Sequence, residues 1–301
     1  MTIACIFGRG DIGHAFAHMA RVLDLVCPPD TEPPAPWVER RPSAAEAMEH
    51  AQVVVLAGNS EELRALAEAY GPHARGDQIV LTAARGIRKG FELPHETIRA
   101  HSCVRKIGVF GGPLHAQDVE TEHHATIVLA SRFPEVVSAV DGWLPQDRVT
   151  VEASTDLIGV SVAGAYGHVS STLIGLSRGL GWTSTAEGLL VAHGMVEARR
   201  LGVAAGADPE TFRGIAGWGE LLPRAPGRSN RHGRLGEALI RGESPPSDDR
   251  LEVIATVAEA SVKGRALGLA TPVADAVGRI IDGAPAKDEL QSILRSPLEP
   301  R

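Results

Sequence analysis

Apolar positions in the first half of the chain fall in short, nearly unbroken runs. Ile3-Ala4-Cys5-Ile6-Phe7, Val22 to Val26, Gln52-Val53-Val54-Val55-Leu56, Gln78 to Thr82, Ile107-Gly108-Val109-Phe110, Ala125 to Ala130 and Val149 to Glu152 each have a strand's length. Strands without polar alternation are buried on both faces, as in a parallel sheet covered by helices. Between them the apolar spacing turns helical, after Gly13, over Ser43 to His50, from Ser60 through Tyr70 and over Pro94 to His101. This alternation predicts an α/β fold, an N-terminal Rossmann-like, doubly wound parallel sheet with right-handed crossovers. Ligands of such a sheet bind beyond the carboxyl ends of its strands.

From Asp156 the pattern changes to long alanine- and glycine-rich helical runs with no further strand, so an all-α C-terminal domain is expected. Asp156 to Gly181 is apolar almost all round and reads as one buried central helix. Its glycines cost roughly 1 kcal/mol each in helix propensity relative to alanine, which points to close packing or ligand approach. Thr185 to Leu201 is a second helix, and Asp208-Pro209-Glu210 caps a third with proline in its first turn. A basic, glycine-containing loop is expected over Pro223 to Gly236, then helices over Arg250 to Leu267 and Val273 to Gly283, with a frayed tail after Ser296. The 301 residues thus divide into a dinucleotide-binding domain, 1–153, and a helical substrate domain, 154–301.

The first strand ends in Gly8-Arg9-Gly10-Asp11-Ile12-Gly13, a G-x-G-x-x-G turn opening a helix. Gly8 permits the tight turn, Gly10 lets backbone approach a pyrophosphate, and Gly13 lets the helix pack close to the sheet. The helix start offers free N–H groups and the positive end of its dipole to that pyrophosphate. Its rival reading is a glycine-rich turn without a nucleotide. At the tip of the second strand, where a ribose-binding acid or a phosphate-binding arginine belongs, stand Cys27-Pro28-Pro29, with Asp24 inside the strand and Asp30 beyond the prolines. The choice between NAD and NADP is therefore not legible.

Composition narrows the function classes. The chain is 44% hydrophobic and 22% charged, with net charge −7 and pI near 6.0. Scattered Lys and Arg argue against nucleic acid or an anionic membrane as partner. No apolar run is read as a membrane span, and the immediate entry into a strand argues against a signal peptide. A cytoplasmic protein is expected. Cys5, Cys27 and Cys103 read as small buried hydrophobes. No C-x-x-C or H-E-x-x-H spacing occurs, so no metal is expected, and without a Gly-Lys-Ser/Thr ending the turn is no nucleoside-triphosphate loop.

Several stretches together resemble the NAD(P)-dependent glycerol-3-phosphate dehydrogenase family. They are Gly8 to Gly13, Gly112-Pro113-Leu114-His115-Ala116, Asp156-Leu157-Ile158-Gly159-Val160 with Gly164-Ala165, and His193-Gly194-Met195-Val196-Glu197. The most specific are Phe212 to Leu221 and Arg228 within Gly227-Arg228-Ser229-Asn230-Arg231. The resemblance runs nearly end to end. It implies reduction of a small phosphorylated ketone by NAD(P)H and a homodimer. It also implies a cofactor set of Gly8, Gly10, Asp11, Ile12, Gly13, Asn59, Ala116, Arg228 and Glu259.

Departures from the family fall at its chemistry. The hydride-transfer lysine register falls on Gly167 and the following asparagine on His168. A second family lysine falls on Arg85, and the family aspartate on Glu220. The serine and asparagine beside the substrate arginine become Gly227 and Ser229, and a nearby threonine is Arg224 or deleted. Carbonyl reduction still needs a proton donor near the developing alkoxide. His168 is the local substitute, with Glu220 to orient it, and its unperturbed pKa near 6.5 suits the task. The bland reading of His168 is a satisfied polar residue in an apolar helix. Arg85 and Arg228 suit an anionic substrate group, and Tyr166 is a weaker substrate contact. Two functions stay open: an oxidoreductase acting on a small anionic carbonyl or alcohol with a rebuilt site, and a catalytically silent relative binding a nucleotide or metabolite.

Overall fold

The structure is a computed structural model that describes residues 2–8, 11–20, 22–113, 124–145, 147–221, 231–243 and 251–298, except the side chains of Asp11, Ile12 and Leu251. Two compact units divide the chain: Met1–Arg85 with Leu93–Val160, and Gly86–Glu92 with Ser161–Arg301. The division after Val160 lies inside a helix, seven residues beyond the expected 153, and the excursion 86–92 joins the second unit.

The first unit is built on one sheet. Its strands are β1 (Ile3–Phe7), β2 (Asp24–Cys27), β3 (Glu39–Arg40), β4 (Ala51–Leu56), β5 (Ile79–Thr82), β6 (Lys106–Gly111), β7 (Ala125–Ala130) and β8 (Val149–Ser154), in the order β3-β2-β1-β4-β5-β6-β7-β8. Every pairing is parallel except β6 with β7. That antiparallel step departs from an all-parallel sheet, and hydrophobicity alone does not encode strand direction. Central β1 and β4 are buried on nearly every residue, whereas the edge strand β8 is partly exposed, as strand position requires. Helices α1 (Asp11–Met19), α2 (Ala44–Met48), α3 (Ser60–Tyr70), α4 (Pro94–His101) and α5 (Pro134–Trp143) connect the strands. Helix α5 and strand β3 were not anticipated from the sequence. Cys5 and Cys27 are buried as expected, but Cys103 is exposed and its thiol donates to the Ala74 carbonyl.

The second unit comprises the long α6 (Leu157–Gly179), then α7 (Ser184–Ala204), α8 (Arg231–Ile240), α9 (Leu251–Leu267), α10 (Pro272–Ile281) and α11 (Ala286–Arg295), the last packed on α7 and α10. By length and composition α6 could cross a membrane, yet 94% of its apolar window is buried inside the protein, as befits a core helix. Two of its buried hydroxyls bond back to the helix itself: Ser171 donates to the Gly167 carbonyl at 2.8 Å and Thr172 to the His168 carbonyl at 3.1 Å. Residues 231–236, expected in a loop, begin α8, and α11 was not anticipated. Asp208 caps its proline-led turn as expected, but that turn is a short 3-10 helix, Pro209–Arg213.

Glycines set the packing of α8 on α6. A Cβ at Gly175 would overlap the carbonyl oxygen of Gly233, and one at Gly236 would overlap that of Thr172. One turn on, a Cβ at Gly179 would lie 2.8 Å from the Ile240 Cβ. The two backbones therefore touch, and only glycine permits that approach.

Candidate active site

In the sheet unit the loops leaving β1 and β4 carry described residues of the expected cofactor set, and the loop leaving β5 carries Arg85, expected to meet the substrate. Gly8 has φ +102°, and a Cβ there would sit 2.5 Å from the Ala57 carbonyl oxygen, so this turn is accessible only to glycine. Gly13 is less demanding, since a Cβ would meet Ala57, Ile6 and Pro34 at ordinary contact distances of 3.4 to 3.5 Å. Bare backbone at Gly8 running into the N-terminus of α1 suits the pyrophosphate of a nicotinamide cofactor. Asp11 and Ile12 open α1. The carboxamide oxygen of Asn59 accepts the N–H groups of Glu61 and Glu62 and so caps α3. Gly10, Ala116 and Arg228 lie outside the described residues, as do Arg224, Gly227 and Ser229.

The segment after β2 packs against the glycine turn. Gly8 N–H donates to the Thr31 hydroxyl at 3.1 Å, and the His14 ring contacts the Pro34 carbonyl at 2.8 Å. Asp24 begins β2 and pairs with the N-terminal end of β1, so it stands at the wrong end of the strand for a ribose. Arg85 is half-buried after β5, and its Nη2 donates to the Gly112 carbonyl at 3.3 Å.

In the helical unit, His168 is buried on α6 and its Nδ1 lies 3.6 Å from Oε2 of Glu252 on α9. The His232 ring of α8 stacks on it, centroids 4.0 Å apart and planes 15° from parallel. The glycine contacts of α6 and α8 put these two rings together. Arg231 Nη2 reaches the same Glu252 oxygen at 3.3 Å. The expectation paired His168 with Glu220; the structure sets Glu252 against it, and places Glu220, also buried, after the π-helical turn Ile215–Gly219. Neither Glu252 nor His232 was singled out from the sequence. They lie 84 and 64 positions from His168, and such distances carry no motif.

Two other expected site residues serve the fold. Tyr166 is fully buried, and its hydroxyl donates to Glu197 Oε1 at 2.9 Å, which places it in the interior and not at a substrate surface. Glu259 Oε2 accepts the N–H groups of Gly90 and Phe91 at 2.8 and 3.3 Å, and Thr256 Oγ1 accepts that of Ile87. These bonds fasten the 86–92 excursion to α9.

Comparison with known proteins bears on both units. The model of the NAD-dependent glycerol-3-phosphate dehydrogenase N-terminus matches residues 33–137, and that of the C-terminus matches 156–291. A glycerol-3-phosphate dehydrogenase [NAD(P)+] of Sinorhizobium fredii is 31% identical over 266 residues, 85% of this chain and 78% of the relative. One from Symbiobacterium thermophilum is 30% identical over 269 residues, 85% and 77% of the two chains. The chain belongs to the NAD-dependent glycerol-3-phosphate dehydrogenase family. The fold agrees: the crystal structure of the Coxiella burnetii glycerol-3-phosphate dehydrogenase superposes with TM-score 0.88 at 21% identity, covering 98% of this chain and 99% of that one. By family the protein is a nicotinamide-dependent oxidoreductase, with a Rossmann-like unit followed by a helical one.

Proposed function

We propose that the protein transfers a hydride between NAD or NADP and a small anionic carbonyl or alcohol, phosphorylated or carboxylated. Glycerol 3-phosphate, named for the Sinorhizobium relative, is the reference substrate. The observation that carries this reading is the buried His168–Glu252 pair beside Gly167, the register in which the family resemblance places a lysine. The cofactor, when bound, supplies or accepts the hydride. Gly8 and the first turn of α1 hold its pyrophosphate, with Gly10, Asp11, Ile12, Gly13, Asn59 and Ala116 completing the cofactor set.

His168 is the proton donor to the developing alkoxide, and Glu252 fixes its ring and stabilises the imidazolium. Arg85 and Arg228 hold the anionic group, to which a guanidinium binds bidentately. Glu220 lends further negative charge in the helical unit. The protein acts as a cytoplasmic homodimer, without nucleic acid or membrane as partner.

The test is His168→Ala, assayed with NADH and NADPH against phosphorylated and carboxylated carbonyls. A loss of about 10²- to 10⁴-fold in kcat is expected for removal of a general acid, with cofactor affinity unchanged. Undiminished turnover would reject His168.

A further inference from the structure

The cluster around His168 has a chemistry that the sequence reading excluded. His168, His232 and Glu252 come from α6, α8 and α9, all three are buried, and one ligand atom from each lies within 4.8 Å of the others. Two imidazoles with one carboxylate form a donor set for zinc-class divalent ions. Ligand atoms held 2.0 to 2.1 Å from a tetrahedral ion stand about 3.4 Å from each other. The 3.6 Å between His168 Nδ1 and Glu252 Oε2 already meets that spacing.

We propose that His168, His232 and Glu252 bind one divalent transition-metal ion of the zinc, cobalt or iron class. An ion lies in the plane of an imidazole that ligates it, so binding turns one ring out of the His168–His232 stack. Arg231 bonds the Glu252 carboxylate at 3.3 Å and orients it, the part an outer-shell partner plays at metal sites. Three protein ligands leave a fourth position open, the arrangement of a Lewis-acid site. With Arg231 alongside, the loaded cluster carries net positive charge, which an anionic ligand at the open position offsets. The ion binding stands on the cluster alone; its use in polarising a substrate oxygen, in place of the absent lysine, rests on the oxidoreductase reading above. In the loaded protein the ion takes over the alkoxide-stabilising part given there to His168, whose ring is then a neutral ligand.

The test uses the full chain, stripped with a chelator and then titrated with Co²⁺ and Zn²⁺. One ion per chain is expected by elemental analysis, with visible d–d absorption of a nitrogen- and oxygen-ligated Co²⁺ and a raised Tm. His168→Gln, His232→Gln and Glu252→Gln should each weaken binding by more than about tenfold, while His50→Gln, an exposed control, should not. Because a buried substitution can unfold the protein, only variants that melt cooperatively are compared. In the wild type itself, paramagnetic Co²⁺ should broaden the ring signals of two histidines. No stoichiometric binding at millimolar ion, or binding indifferent to all three substitutions, overturns the proposal. A protein that binds the ion yet turns over no substrate keeps this inference and rejects the oxidoreductase reading; one that turns over NAD(P)H with no ion bound does the reverse.

Discussion

The hydroxyl of Tyr166 on α6 donates at 2.9 Å to Oε1 of Glu197 on α7, deep inside the helical unit. The same carboxylate accepts the N–H groups of Val273 and Ala274, at 2.7 and 2.9 Å, in the first turn of α10. One buried acid thus ties three helices together, using a tyrosine and two of the orphan donors that every helix N-terminus carries.

Tyr166→Phe removes one of those three donors without changing the packing. It should cost about 1 to 3 kcal/mol of stability, the range for a buried acceptor losing its partner. The KM for any substrate should not change. Denaturant unfolding combined with steady-state kinetics checks this; a raised KM with stability intact would return Tyr166 to the substrate site.

Burial raises the Glu197 pKa to about 7, against the lowering effect of its hydrogen bonds. The unfolded chain releases this proton near the ordinary glutamate value of about 4.3. Between those two values the folded state holds a proton that the unfolded state has lost, so this group's contribution to stability falls as pH rises, by at most about 1.4 kcal/mol per pH unit. Above the folded value the loss is complete and flat. Glu197→Gln lacks the slope, so wild type should lose stability relative to the variant from pH 5 to 7. Parallel unfolding curves across that interval would contradict the assignment.

Gly8→Ala and Gly13→Ala should behave differently although both alter the same motif. Alanine at Gly8 meets φ +102° and the Ala57 carbonyl, and should cost about 1 to 3 kcal/mol together with weaker NADH binding. Alanine at Gly13 meets only ordinary contacts and gains helix propensity, so it should be neutral or stabilising by up to about 1 kcal/mol. Thermal melts and NADH fluorescence titrations on the two variants decide it.

Gly175→Ala places a methyl group against the backbone of Gly233 and pushes α8 away from α6. A cost of about 1 to 3 kcal/mol or more is expected for overpacking a core. His232 should move off His168 in the same step, visible as changed histidine ring shifts. A variant as stable as wild type, with its rings unmoved, would mean the helices can separate freely.

How much of this was legible varies by element. The apolar run of β7 and the proline-led start of α4 gave their bounds without error, because burial on both faces and a proline in the first turn are local signals. Helix α11 escaped because its strong amphipathicity sits in a short charged segment. Glu259 carries a cofactor role by resemblance, while its hydrogen bonds go to Gly90 and Phe91, a contact across 169 and 168 positions that no local pattern announces.

Local chemistry along the chain determined the α/β-then-α order, the glycine turn after β1 and the burial of the central helix, since strand and helix periodicities and glycine's backbone freedom act over a few residues. The three-dimensional packing decided what surrounds His168. Glycines at 175 and 236 let two helix backbones touch and bring His232 onto it, and α9 delivers Glu252 from 84 positions away. Those partners are chosen by how helices fit together, and that fit is a property of the folded chain, not of any stretch of it.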